Sequence, residues 1–176
     1  VEVLFRQALS RSDRHKRDFA VTIHSDFSIS PAALPDLVRA MESGADLVVA
    51  EALNRETSAA MRLVRRSAPW LLRPGLNVPG VRDLLSGVCA IRLATLQHCL
   101  KDGQSLLKSS GVSAWPELLA RTAAVARQIS VVSILPPEQK GPEPATGSAF
   151  GLALELFRAG RLLRVPAPAV EVRRAS

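Results

Sequence analysis

Apolar residues along this chain fall into two patterns: short consecutive runs, and longer stretches in which they recur at helical spacing. The first pattern marks a buried strand and the second a helix with one apolar face. The stretch 18–51 shows the order most plainly. Phe19-Ala20-Val21-Thr22-Ile23 is a β-rich run that stops at His24-Ser25-Asp26. Beyond Ser28, Ser30 and Pro31 the spacing predicts a helix over 32–43, with Leu34, Leu37, Val38 and Met41 on one face and Gly44 ending it. Asp46-Leu47-Val48-Val49-Ala50-Glu51 supplies a second buried strand. A βαβ unit carries its ligands at the carboxyl ends of its strands, so Asp26 stands where a site is expected.

The remaining pattern extends the same alternation. Residues 3–11 read as an amphipathic helix, and 12–18 as a charged turn. Residues 57–72 are helical in pattern until Pro69, with Met61, Leu63, Val64 and Trp70 apolar and Arg62, Arg65, Arg66 and Arg73 basic. A Pro/Gly loop over 74–80 is followed by Asp83-Leu84-Leu85-Ser86-Gly87 and the strand-like Val88-Cys89-Ala90-Ile91. Residues 93–101 form a short helix, 108–113 a polar loop, and 115–127 a helix with Pro116 in its first turn. Residues 128–135 are a third clear strand, rich in Val and Ile; 136–147 are a loop; and Ser148 caps a final helix through 163.

The expected architecture is an α/β domain of three layers over residues 1–164, with a loosely held tail over 165–176. Its sheet is mixed but mostly parallel, built from the strands around Ala20, Leu47, Val88 and Val131. A right-handed crossover through one short helix predicts that 19–23 and 47–50 lie adjacent and parallel.

Composition narrows the partners. The 176 residues are 47% hydrophobic and 22% charged, which suits one globular domain. No apolar run is long enough to cross a membrane, and the N-terminal residues lack a signal-peptide layout, so a cytoplasmic protein is expected. Cys89 and Cys99 lack Cys-x-x-Cys spacing and read as reduced, partly buried thiols. A net charge of +7 favours anionic partners: nucleic acid, anionic lipid or phosphorylated substrates. Aromatic residues are only 4%, with no Tyr, which argues against a base-stacking platform for nucleic acid. No Gly-x-Ser-x-Gly, Gly-x-Gly-x-x-Gly or P-loop pattern occurs, and His15 and His98 have no partners at metal-ligand spacing.

The order of these signals resembles the second half of a family 2 glycosyltransferase of GT-A fold, most similar to the dolichol- and polyprenol-phosphate sugar transferases. The resemblance rests on Val21-Thr22-Ile23-His24-Ser25-Asp26, Pro31 and Ser43-Gly44-Ala45-Asp46-Leu47-Val48-Val49. It continues through Asp83-Leu84-Leu85-Ser86-Gly87, Trp115-Pro116-Glu117-Leu118-Leu119-Ala120-Arg121 and Gln128 to Ile134, and spans about 3–161. His24 stands where the family has its first Asp, Cys89 where it has an Arg, and Lys140 is displaced from the family's Arg-x-x-Gly position. No counterpart of the family's nucleotide-binding half precedes Val1, so the chain is expected to show little activity alone.

Transfer of a sugar from a nucleotide diphosphate requires the leaving diphosphate to be neutralised, commonly by Mg²⁺ or Mn²⁺. The resemblance implies a nucleotide-sugar donor, a polyprenyl phosphate acceptor at the inner membrane face, and a metal on Asp26 and His24. It assigns Asp83 a catalytic role and gives Ser86, Gly87, Glu117 and Lys140 to substrate. Plainer readings stand beside these. Asp26 caps the turn into the following helix and His24 merely ends a strand. Asp83 starts an ordinary turn, and Glu117 is an acidic residue favoured in a helix's first turn. The 57–72 helix, with its arginines and Trp70, is either an interfacial helix for anionic headgroups or one packed on the sheet. An alternative function is a non-catalytic module that binds anionic partners.

Overall fold

The computed structural model describes residues 2–23, 31–51, 59–73, 75–78, 80–100, 105–134, 148–166 and 172–174. In chain order these form α1 (Glu2–Arg11), β1 (Phe19–Thr22), α2 (Leu34–Glu42), β2 (Leu47–Glu51), α3 (Ala59–Leu71) and β3 (Cys89–Arg92). There follow α4 (Leu93–Cys99), α5 (Ala114–Val125), β4 (Ile129–Ser133), α6 (Ala149–Leu162) and β5 (Val172–Arg174). The expected loop over 136–147 lies outside the described residues.

The strand order is β1-β3-β2-β4-β5. β3 runs antiparallel to β1 and to β2, β4 is parallel to β2, and β5 is parallel to β4. β1 and β2 therefore share a direction, as expected, but they are not neighbours: β3 lies between them. An apolar run records that a strand is buried, not which strand it pairs with. The sheet is mixed, with β3 alone reversed.

Side chains of the central strand alternate between two cores. Leu47 and Val49 join Cys89, Ile91, Ile129 and Val131 beneath residues of α3, α5 and α6, among them Ala68, Leu118 and Leu156. Val48 and Ala50 join Val88, Ala90 and Val132 beneath Leu37, Ala40 and Met41 of α2. Helices thus cover both faces, and β2 is buried along its whole length, which is why its sequence shows no polar alternation.

α2 ends as its sequence predicts. Gly44 takes φ 104°, its N–H donates to the Met41 carbonyl at 3.1 Å, and the Ala45 N–H donates to Ala40 at 3.4 Å, a Schellman closure. Arg92 then ties this corner together. Its guanidinium donates to the carbonyls of Met41 at 2.7 Å, Ala45 at 2.6 Å and Lys16 at 3.0 Å.

Two elements differ from the sequence pattern. α3 runs through Pro69 to Leu71 rather than stopping there. The proline removes one N–H donor close to the helix end, while its buried neighbours Ala68 and Leu72 are held in the core beneath α6. The tail expected to hang loosely instead adds β5, with Ile129 opposite Val172 and Val131 opposite Arg174. Three residues in a Pro- and Ala-rich context give no strand period; pairing with β4 supplies the order.

α6 begins where Ser148 predicts, its Oγ accepting the Gly151 N–H at 3.1 Å. At its other end Gly160 lies directly on the backbone of the α3 terminus. The Gly75 N–H donates to Gly160 at 3.1 Å, and the Val165 N–H donates to Gly75 at 2.8 Å.

Candidate functional site

Thr22 pairs with Cys89, Val49 also faces Cys89, and Glu51 pairs with Ser133. The carboxyl ends of β1, β2 and β4 and the amino end of β3 therefore meet at one edge of the sheet. The turn Asp83–Gly87 precedes β3 and so lies at this edge. Asp26 follows β1 in sequence, but His24, Asp26 and Lys140 all lie outside the described residues.

The turn is held from several sides. Asp83 is 4% exposed, and its Oδ1 accepts the Leu85 N–H at 3.1 Å, the geometry of an Asp-initiated turn. Arg65 of α3 reaches the same carboxylate at 3.3 Å and donates to the Leu85 carbonyl at 3.4 Å. Ser86 is fully buried, its Oγ accepting the Val88 N–H at 3.4 Å. Gly87 takes φ 67°, a conformation that side-chain-bearing residues seldom adopt. Thr22 Oγ1 accepts the Cys89 N–H at 3.2 Å, so the end of β1 is fixed to the residue that opens β3.

Glu51 supplies a second anchor that sequence reasoning did not single out. It ends β2 with no exposed surface, accepts the Arg82 N–H at 2.5 Å, and faces Arg174 of β5 at 3.3 Å. Arg174 also donates to the Gly80 carbonyl at 3.0 Å. The available signal was a carboxylate closing an otherwise apolar strand, since a buried acid requires a partner. Arg65 was read with Arg62 and Arg66 as a basic cluster on α3. The structure separates it from them, turning it inward to Asp83.

Glu117 sits in the first turn of α5, fully buried. Its carboxylate accepts the N–H groups of Lys108 at 3.0 Å and Ser109 at 2.8 Å, bonds the Ser109 hydroxyl, and pairs with Arg121 at 2.8 Å. Burial pushes this carboxyl upward, but the Ser109 hydroxyl, the two backbone donors and Arg121 outweigh it and hold it below the usual range. Glu117 thus anchors the 108–109 loop to α5.

The thiols offer no nucleophile. Burial pushes Cys89 up to about 11 and Cys99 likewise to about 11, so both are protonated near neutrality. Both are free, as their spacing suggested. His15 Nε2 lies 2.9 Å from the Leu9 carbonyl oxygen, and His98 is exposed.

Among the described residues no three His, Cys, Asp or Glu side chains gather to hold a metal. Asp83 and Glu51, the two buried carboxylates at this sheet edge, each face an arginine. These two carboxylates do not make an octahedral oxygen site.

The Arg65–Asp83 pair has a measurable consequence. Its side chains are 18% and 5% exposed, so breaking it leaves a mostly desolvated charge. Arg65→Ala and Asp83→Asn are each expected to cost about 2–4 kcal/mol, with a coupling of about 1–2 kcal/mol in a double-mutant cycle. Urea unfolding of the single and double variants checks this; additive losses would mean that the pair contributes nothing.

The fold and this edge define an α/β domain of three layers with a mixed sheet. No family model matches the chain, and no curated protein matches it. The functional reading therefore stands on its own residues.

Proposed function

We propose that the chain is the acceptor half of a sugar transferase of GT-A type. The parent activity is transfer of a sugar from a nucleotide-sugar to a polyprenyl phosphate. The observation that carries this reading is the Asp83–Gly87 turn, fixed by Arg65 at the sheet edge where β1 ends and Asp26 follows. In this reading Arg65 brings a cation to the acceptor phosphate, and Asp83 is a positioning residue that orients Arg65. Ser86 and Gly87 shape the backbone against the acceptor. A phosphate acceptor is already ionised near neutrality, so no strong general base is required. Mg²⁺ or Mn²⁺ on Asp26 and His24 remains part of the proposal; when bound, it supplies charge neutralisation of the leaving diphosphate.

The reading is tested by calorimetric titration of the chain with farnesyl phosphate and with farnesol. Binding of the phosphate alone, weakened roughly tenfold or more in Arg65→Ala, is expected for a lost charge-assisted contact. Equal binding of phosphate and alcohol, or no effect of Arg65→Ala in a folded variant, overturns it. The isolated chain is also expected to transfer no sugar from uridine- or guanosine-diphosphate sugars with either metal. Turnover above the protein-free control would show that the nucleotide-binding half is not needed.

One observation favours the alternative, a non-catalytic module binding anionic partners. Among the described residues the three buried carboxylates, Glu51, Asp83 and Glu117, are all engaged by donors of the chain itself. In that case the farnesyl phosphate titration shows no dependence on Arg65.

A further inference from the structure

α3 and α6 pack side by side through Gly160, and both leave large apolar side chains in solvent. On α3 these are Leu63 at 68% and Trp70 at 72% exposure. On α6 they are Phe150 at 78%, Phe157 at 41% and Leu162 at 82%. Helical spacing places Arg62, Leu63, Arg66 and Trp70 on one side of α3, with Arg73 just beyond its end. It places Phe150, Leu154, Phe157, Arg158 and Arg161 on one side of α6, with Arg164 beyond. The six arginines 62, 66, 73, 158, 161 and 164 are all exposed. The Arg161 guanidinium lies 5.0 Å from the centre of the Phe157 ring, so cation and aromatic are offered together.

Acidic residues are almost absent here. α3 has none, and the single acid of α6, Glu155, accepts the Ser113 N–H at 3.2 Å. Among the described residues none of the six arginines meets a carboxylate.

We propose that the outer sides of α3 and α6 form a docking face for an anionic membrane surface. Charge complementarity selects this occupant: arginines interleave with Leu, Phe and Trp instead of forming a polar rim around a dry apolar centre. The core of a protein–protein interface is depleted of charge, whereas an interfacial helix buries its apolar side among acyl chains and keeps arginines at the headgroups. Trp70 suits the same depth, with an apolar ring and one polar N–H. α3, of 13 residues, and α6, of 14, are too short to cross a bilayer and would lie along its surface. The proposal does not rest on the sugar-transfer reading, and its test uses neither nucleotide nor isoprenoid phosphate.

Vesicle sedimentation of the whole chain decides it, with phosphatidylglycerol-rich vesicles against pure phosphatidylcholine. Binding to the anionic vesicles is expected, weakened by salt through screening. Each arginine near such a surface raises partitioning roughly fivefold, so the triple variant Arg62→Glu, Arg66→Glu, Arg158→Glu is expected to lose more than about a hundredfold. A control with the same change of net charge, Arg11→Glu, Arg14→Glu, Arg17→Glu, is expected to keep most of the binding. Trp70→Ser with Phe150→Ser is expected to weaken binding while leaving the thermal transition unchanged, since these side chains are 72% and 78% exposed. Equal losses in the two triple variants would reduce the effect to net charge and overturn the proposal. So would absence of vesicle binding by the folded chain. Self-association abolished by Trp70→Ser, without vesicle binding, would assign the face to a protein partner instead.

Discussion

Alanine at Gly75 or Gly160 is expected to destabilise the protein sharply, although Gly→Ala within a helix ordinarily stabilises it by about 0.5–1 kcal/mol. A Cβ on Gly160 would stand 2.5 Å from the Leu72 carbonyl oxygen and 2.8 Å from that of Leu71. One on Gly75 would stand 1.8 Å from the Leu163 carbonyl oxygen and 2.3 Å from that of Gly160. These neighbours are backbone and cannot rotate aside, so the helices must separate. Overpacking of this kind costs about 1–3 kcal/mol or more, and the melting temperature is expected to fall by roughly 3–10 °C for a chain of this size. Gly75→Ala should be the worse of the two. A thermal scan in which Gly160→Ala melts at or above the wild-type temperature would disprove the close approach of α3 and α6.

Glu117 carries the second large effect. Glu117→Ala removes a fully buried carboxylate and leaves the Lys108 and Ser109 N–H groups and Arg121 without their acceptor. A cost of about 3–5 kcal/mol follows, the range for breaking a buried charge-paired network. The pH dependence has a definite sign. The folded carboxyl is held below its ordinary value, so its contribution is complete above the unfolded glutamate value of about 4.3 and fades as pH falls through the lowered folded value. The stability gap between wild type and Glu117→Gln should therefore be full at neutral pH and narrow in acid. Urea unfolding at the two pH values measures it. A gap that stays constant, or widens in acid, would contradict the charged network.

The sequence made some parts of this molecule legible and left others dark for physical reasons. β2, β3 and β4 were readable because a strand buried on both faces becomes a continuous apolar run, and α2 because Gly44 closes a clear helical period. The turn at Asp83 was readable because an acid before a Ser-Gly pair announces one. Strand neighbours were not readable: no property of Phe19–Thr22 encodes that β3 rather than β2 lies beside it. β5 was missed because three residues carry no period and its order comes from β4. The partners of Glu51 and Arg65 were not readable for a related reason. Each looks ordinary in its own segment, one closing a strand and the other among several arginines, and only the tertiary fold gives each a partner.

The order β1-β3-β2-β4-β5 also constrains how the chain reaches this state. No two paired strands are joined by a tight turn. β3 reaches β2 across α3, β4 reaches β2 across β3, α4 and α5, and β1 waits for β3 across α2, β2 and α3. Each pairing must close a long loop before it yields a hydrogen bond, and that entropy is lost before the contacts repay it. The helices can form locally and early, whereas the sheet is expected to form late, leaving the apolar Leu47–Ala50 of β2 and the buried carboxylate of Glu51 without partners in the meantime. During synthesis, β4 must be released before β2 gains its parallel partner. Refolding followed by stopped-flow circular dichroism is expected to be slow, with helical signal gained before the sheet; all of the signal returning in one fast phase would contradict this.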